Sequence, residues 1–346
     1  MPQPIILWIE EVGEELTPLV GSKNANLGEI TRMGLPVPPG FAVTTEAYDE
    51  FMAQTGAGEE IEQYLNNFPE RPKTPSEYGE VSQRIKDIIL PKDLPEEIQD
   101  AIDCAYDELN RKCQMTDVPM AVRSSGVAED LPTASFAGQY DSYLNVRGKD
   151  ALFEKVKRCW ASLYTARSIM YREKHNLPVL AGSMGVGVQR MVTPRTAGVG
   201  FTVHPGTGDD TKILLEANWG TGESVVQGVV IPDRYVIDKE TSTLEEKKIS
   251  CKLRQIVIGD MGTEEQEVPE NRQSLPCLSD EEALKIAEFA AVLEKSYGMP
   301  LDIEWALDDT LSFPENIFLV QARPVTKVVE KKDTIDKTLD RMMGRY

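Results

Sequence analysis

Residues 121–146, A-V-R-S-S-G-V-A-E-D-L-P-T-A-S-F-A-G-Q-Y-D-S-Y-L-N-V, decide how the chain is read. A short apolar strand at 120–122 runs into Arg123, and the residues beyond it include Ser124, Ser125, Gly126, Thr133, Ser135 and Gly138 among small neighbours. Small residues let main-chain N–H groups reach an anion, and a guanidinium at a strand end adds fixed positive charge with several donors. The pattern suits a lid that folds over a polyphosphate and excludes water. Taken alone, it equally describes a surface loop whose arginine makes an ion pair.

Upstream, residues 22–33 read as a short helix, with Ser22 as N-cap, Leu27 and Ile30 on one face and Gly34 as the stop before the rigid L-P-V-P-P-G turn. Lys23 stands at its start, where the helix dipole and free N–H groups already favour an anion. The G-x-x-x-x-G-K-S/T spacing of a P-loop is absent, and a lysine at this place is also compatible with simple solvation. F-A-V-T-T follows as a strand. From 45 to 113 the chain is acidic and helix-prone, with Pro69, Pro72, Pro75, Pro91 and Pro95 dividing it into several outer helices.

Downstream, Leu152, Val156, Trp160, Leu163 and Ile169 predict one amphipathic helix over 150–174, its aromatic residues serving the core. Beyond Pro178 the texture turns to Val- and Gly-rich strands. The strand through Gln189, Met191 and Val192 can offer a main-chain edge to adenine, with the Met191 sulfur as a soft contact to the ring. Glu216, just before the glycine-rich turn N-W-G-T-G-E, can accept from ribose or adenine. His204, in F-T-V-H-P-G, reads as a loop histidine. Residues 250–274 are polar and irregular. Ser279 and Glu282 then make a capping box for a helix over 280–297, striped by Ile286, Ala290, Leu293 and Tyr297 and ended by Gly298.

Two final strands, L-D-I-E-W-A-L and I-F-L-V-Q-A-R, are close enough for a hairpin. Strict alternation puts Asp302 and Glu304 on one face, and Leu319, Gln321 and Arg323 on one face of the partner. Oxygen donors from Glu304 and Gln321 suit Mg²⁺ bridging phosphates, and Arg323 can neutralise phosphate charge. A solvated sheet face with a cross-strand ion pair has the same pattern.

The composition narrows the partners. The chain has 346 residues, 41% of them hydrophobic, with 37 basic and 57 acidic side chains, a net charge of −20. That charge repels nucleic acid and anionic membranes at long range, so an anionic nucleotide needs a local cationic cluster and a divalent cation. No run approaches the roughly 18 apolar residues of a membrane span and no secretory leader is seen, which gives a cytoplasmic expectation. Five widely spaced cysteines form no C-x-x-C pair and read as reduced thiols. Two histidines leave little imidazole chemistry.

V-G-S-K-N-A-N-L-G-E, G-L-P-V-P-P-G-F-A-V-T, A-V-R-S-S-G-V-A-E-D-L-P-T-A-S-F-A-G-Q, F-T-V-H-P-G-T-G, N-W-G-T-G-E, V-V-Q-G-V-V-I-P-D, Y-G-M-P-L-D-I-E-W-A and V-Q-A-R-P-V-T occur in that order. Over about residues 12–327 this series resembles the N-terminal ATP-binding domain of the phosphoenolpyruvate synthase and pyruvate phosphate dikinase family; rifampicin phosphotransferase carries a similar domain. The resemblance implies an α+β, ATP-grasp-like fold of two subdomains clamping the nucleotide, at 1–185 and 186–328, with a tail at 329–346. It implies Lys23 and Arg123 on phosphates as the catalytic cations and Gln189, Met191 and Val192 near adenine; the residue pattern adds Ser135 and Gly138 in the phosphate lid and Glu216 at ribose or adenine. Glu304 and Gln321 are implied at Mg²⁺, with Asp302 and Arg323 in the same pocket.

The sequence departs from that family in having F-T-V-H where F-T-x-D is usual and in lacking a T-S-H phosphohistidine motif. The expectation is an ATP-binding subunit that uses ATP and Mg²⁺ with a second subunit carrying the phosphohistidine and acceptor-binding domains. Such a split resembles phenylphosphate synthase, with phenol as acceptor and AMP and phosphate as products. A pyruvate-using or rifampicin-type phosphotransferase and a non-catalytic nucleotide sensor stand as alternatives.

Overall fold

The computed structural model describes residues 3–67, 72, 74–127, 130–131, 134–135, 140–259 and 262–325. Thr133, Gly138 and the tail 329–346 lie outside them, and Ser135 is described in its backbone only. Contacts divide the chain into two units, Met1–Thr193 with Ile258–Glu264, and Pro194–Val257 with the described residues from Glu265 onward. The boundary expected at 185/186 falls inside a strand that is paired on both sides within the first unit.

The first unit contains β1 (Ile6–Trp8), β2 (Gly40–Val43), β3 (Met120–Gly126), β4 (Asp130–Leu131), β5 (Ala134–Ser135), β6 (Ser142–Val146) and β7 (Met184–Arg190). Its five-stranded sheet runs β1-β2-β7-β3-β6, with each neighbouring pair antiparallel, while β4 and β5 form a separate two-stranded pair. Alternation sorts the two faces. Phe41 and Val43, Met120 and Val122, and Met184, Val186 and Val188 join the large core under the helices Thr45–Gln54, Pro75–Ile89, Glu96–Lys112 and Lys149–Ala161. Ala42 turns the other way, to Val12, Val20 and Ala25.

That opposite face carries the helix Ser22–Arg32, and the glycines of G-V-G-V make room for it. A Cβ on Gly185 would lie 2.3 Å from the Val20 carbonyl oxygen, and one on Gly187 2.3 Å from Asn24 Oδ1. The helix is not capped by Ser22 as expected. Gly21 is its N-cap, at φ 79°, and a Cβ there would sit 1.9 Å from the Ser125 carbonyl oxygen, so the chain reaches β3 by main-chain contact.

Proline starts helices here. Pro75 is the first helical residue after the N-cap Thr74, inside the Thr74–Glu77 capping box, and Pro95 is the N-cap of Glu96–Lys112. The single helix expected at 150–174 is two, Lys149–Ala161 and Ala166–Lys174. A 3₁₀ turn, Ser162–Tyr164, intervenes, and the Thr165 hydroxyl accepts from the Ser168 N–H to start the second. Apolar periodicity missed the break because the turn is itself buried.

The second unit holds β8 (Pro194–Phe201), β9 (Lys212–Trp219), β10 (Asp233–Asp238), β11 (Thr243–Lys248), β14 (Leu301–Asp308) and β15 (Ile317–Pro324), while β12 (Arg254–Gly259) ends and β13 (Gly262–Glu267) begins in the stretch Ile258–Glu264 that groups with the first unit. Six of these form a sheet ordered β11-β10-β9-β8-β14-β15. The helix Asp280–Tyr297 packs against it, with the Ser279–Glu282 capping box at one end and Gly298 at φ 66° at the other, as its sequence predicts. Leu301, Ile303, Trp305 and Leu307 are buried.

Residues 250–274, expected to be irregular, contain the paired strands β12 and β13 and the short helix Glu270–Gln273. T-E-E-Q-E is polar at every position, so no alternation marks it as a strand. Beside this pair the fully buried Lys252 ammonium meets Asp233 Oδ1 at 2.6 Å, and the same carboxylate accepts from the N–H groups of Ser250 and Cys277.

Candidate functional site

In the first unit the N-terminus of Ser22–Arg32 is laid against the end of β3. Lys23 Nζ donates to the Ser124 carbonyl at 3.1 Å, the Asn24 N–H to Ser125 Oγ at 3.2 Å, and Ser22 Oγ to the Gly126 carbonyl at 3.3 Å. Asn24 is anchored in turn by its amide on the Val20 carbonyl. Arg123 and Ser125 alternate with Val122 and Ser124 along the strand, which puts Arg123 on the face that carries this helix. Lys23 and Arg123, a hundred positions apart in sequence, thus occupy adjoining ground: two cations with a helix N-terminus between small residues. Burial pushes the Cys159 thiol below β3 well up from its usual range, so it stays a neutral packing group.

The strand expected to meet adenine is buried. Gln189 donates its side-chain amide to the Pro38 carbonyl, the Met191 N–H bonds the Pro119 carbonyl at 2.7 Å, and the Met191 sulfur faces the Asn145 N–H at 2.9 Å. Met191 and Val192 are 6% and 7% exposed. Asn145, at φ 54°, escaped the sequence reading because nothing local marks its left-handed backbone.

In the second unit register aligns the polar side chains. Arg234, Glu216, Val199, Glu304 and Gln321 are successive cross-strand partners over β10, β9, β8, β14 and β15. In the neighbouring row Asp302 is opposite Arg323, which donates twice to Asp302 Oδ2. Leu319, expected beside Gln321 and Arg323, instead pairs with Trp305 and is fully buried. A bulge between the Glu304 and Trp305 pairs absorbs one residue, which sends Leu319 to the core and keeps Gln321 on the polar face.

Burial is the largest influence on the Asp302 carboxyl and raises its pKa; the Arg323 guanidinium opposes this and the Glu304 charge adds to it. Glu216 is held by Arg234 at 2.8 Å. Arg234 was missed, although D-R-Y-V-I-D alternates so that it must project opposite to the buried Asp233 and Tyr235. His204 Nδ1 accepts from the N–H groups of Gly206 and Thr207 at 3.2 and 3.3 Å. The Nδ1 atom of this loop histidine is thus engaged by main-chain donors.

For Mg²⁺ the donor set is suitable in kind: two hard oxygen donors directly opposed on a half-buried face, with a second carboxylate beside them. Among the described residues no cage of three or more acid, His or Cys side chains gathers. Two cavities, of about 500 Å³ beside Leu65 and Ile169 and about 660 Å³ beside Ile213 and Val292, contain none of the candidate residues. No described helix is long and apolar enough to cross a membrane.

The model of the family described as pyruvate phosphate dikinase, AMP/ATP-binding domain, matches residues 17–343. The chain belongs to this family. Among its relatives, a probable phosphoenolpyruvate synthase of Staphylothermus marinus is 43% identical over 96% of this chain and 43% of its own length. The phosphoenolpyruvate synthase of Aeropyrum pernix is 41% identical over 96% of this chain and 44% of its own. The chain thus spans less than half the length of the curated relatives it matches. A crystal structure of an L-amino acid ligase from Bacillus licheniformis overlaps 80% of this chain and 56% of its own at 11% identity, with a TM-score of 0.27, too slight a likeness to bear on the fold.

Proposed function

We propose that this chain binds Mg-ATP and passes a phosphoryl or pyrophosphoryl group to a histidine carried by a partner polypeptide, with AMP and phosphate as products once water has cleaved the remaining phosphoanhydride bond. The observation that carries the reading is the contact of Lys23 Nζ with the Ser124 carbonyl, which sets a lysine and Arg123 together at a helix N-terminus, in a chain of the ATP-binding family. Lys23 and Arg123 hold phosphate oxygens and compensate charge as the transferring group leaves; Glu304 and Gln321 hold Mg²⁺, which supplies further charge compensation when bound. Asp302 orients Arg323. In this reading the fold is ATP-grasp-like, and the engagement of His204 Nδ1 by main-chain N–H groups favours an acceptor histidine outside this chain.

The relatives' names favour pyruvate as the final acceptor. Phenol, expected from the resemblance to phenylphosphate synthase, has no support among them. Incubation with β- or γ-labelled ATP and a T-S-H partner tests the proposal: label on the partner's histidine with AMP release is the expected result. Tight ATP binding with neither label nor AMP would instead make the chain a nucleotide sensor, and absence of ATP binding would end both readings.

A further inference from the structure

The turn N-W-G-T-G-E passes into the helix Glu223–Val226 and a loop whose apolar side chains face solvent: Val226 and Val229 are each 56% exposed and Ile231 76%. Leu253 and Leu275 are 59% and 51% exposed. Ile231, Leu253 and Leu275 each lie within two residues of a group tied to one buried carboxylate. Asp233 itself follows Ile231 by two; the Lys252 ammonium and the Cys277 N–H bond Asp233 at 2.6 and 2.8 Å. Ser250 Oγ further closes on the Pro232 carbonyl at 2.9 Å. The apolar side chains therefore ride on three segments pinned together, which is a fixed surface and not a set of loose loops.

Some of the charges near it are paired. Asp233 is matched by Lys252, Glu265 by Arg254 at 2.7 Å and Glu216 by Arg234, in a chain of net charge −20. A group of exposed apolar side chains carried on pinned segments marks a place where another polypeptide can bury surface. It also adjoins the polar sheet face. Asn218, two residues along β9 from Glu216 and so on the same face, donates to Ser224 Oγ at 2.9 Å and to the Arg254 carbonyl at 3.0 Å.

We propose that Val226, Val229, Ile231, Leu253 and Leu275 form the docking surface for the polypeptide that bears the phosphoryl-accepting histidine. The proposal rests on the reading under Proposed function. One observation chooses this occupant, that the relatives extend to more than twice the length matched here, and the reaction proposed above would bring the acceptor beside the strands that carry Glu216 and Glu304. The partner supplies a complementary apolar patch.

Hydrogen exchange tests this with two proteins, the chain alone and the Staphylothermus marinus relative with its matched segment exchanged for this whole chain. Amides of residues 226–231 should exchange at least tenfold more slowly in the chimera, and the double variant V229S/I231S should abolish that protection while leaving ATP affinity unchanged. Identical exchange in the two proteins overturns the proposal. So does protection in the isolated chain that grows with its concentration, which assigns the surface to a second copy, or that appears on adding neutral lipid vesicles, which assigns it to a membrane. Failure of the isolated chain to bind ATP would sink the phosphotransfer reading and leave this footprint to be judged separately.

Discussion

Arg323 meets Asp302 across the paired strands β14 and β15, its Nε and Nη2 both donating to Oδ2, at 3.0 and 2.9 Å. The carboxylate is the more buried partner, 16% exposed against 37% for the guanidinium, and its pKa is nonetheless raised. Burial therefore outweighs the ion pair, and the pair is a way of tolerating a carboxylate on this face more than a source of stability.

Arg323→Ala should destabilise the fold by about 1–3 kcal/mol at neutral pH, the range for an unpaired charged hydrogen-bond partner. The pH dependence follows from the direction of the Asp302 shift. An acid whose folded pKa lies above its unfolded value, near 4, contributes most below that value, and the contribution falls as pH rises through the folded pKa. Loss of the guanidinium raises the folded pKa further, so the penalty should be larger at pH 7 than at pH 4. Urea unfolding at both pH values checks this, and equal penalties would refute it.

Arg123→Ala should abolish label transfer with the far-UV spectrum intact, and Lys23→Met should weaken ATP binding about tenfold, the loss of one charge-assisted contact worth roughly 1.4 kcal/mol. Titration calorimetry with ATP separates the two effects. Wild-type affinity in Lys23→Met would remove the lysine from the phosphate site and leave it as a strut on the Ser124 carbonyl.

Two glycines should respond in opposite senses. Gly185→Ala drives a Cβ to within 2.3 Å of the Val20 carbonyl and should cost about 1–3 kcal/mol, as overpacking against main chain does. Gly79, inside the helix Pro75–Ile89, has open space around its Cβ position, and Gly79→Ala should stabilise by about 0.5–1 kcal/mol. Thermal unfolding of both variants reads the sign directly.

Lys252→Met should destabilise strongly, by about 3–5 kcal/mol, because it leaves the fully buried Asp233 carboxylate without its cation. Chemical denaturation measures it. A loss under about 1 kcal/mol would show that the N–H groups of Ser250 and Cys277 suffice to hold that charge.

What the sequence discloses depends on the range over which each feature is determined. The helix Asp280–Tyr297 was legible end to end because its capping box, apolar stripe and terminal glycine are all local. The glycines of β7 were visible, but their cause was not: they yield to Val20 and Asn24, brought over by folding. Likewise the contact of Lys23 with Ser124 joins residues 101 apart, and only the family resemblance hinted at it. Leu319 shows the sharpest limit. Its side chain is sent to the core by a bulge that exists only once β15 has paired with β14, so no reading of β15 by itself could place it.

Glu304→Gln tests the metal role and the electrostatics of the same face together. Glu304 and Gln321 are direct cross-strand partners, so the variant keeps an oxygen donor at the position but removes the negative charge that holds a hard cation. The Mg²⁺ concentration for half-maximal transfer should rise about tenfold or more, with ATP affinity in the absence of metal little changed. The Glu304 charge is also one of the influences that raise the Asp302 pKa, so that pKa should fall toward its ordinary value in the variant, read by carboxyl-carbon NMR titration. An unchanged metal titration together with the shifted Asp302 would keep Glu304 in the electrostatics of the face and remove it from the metal.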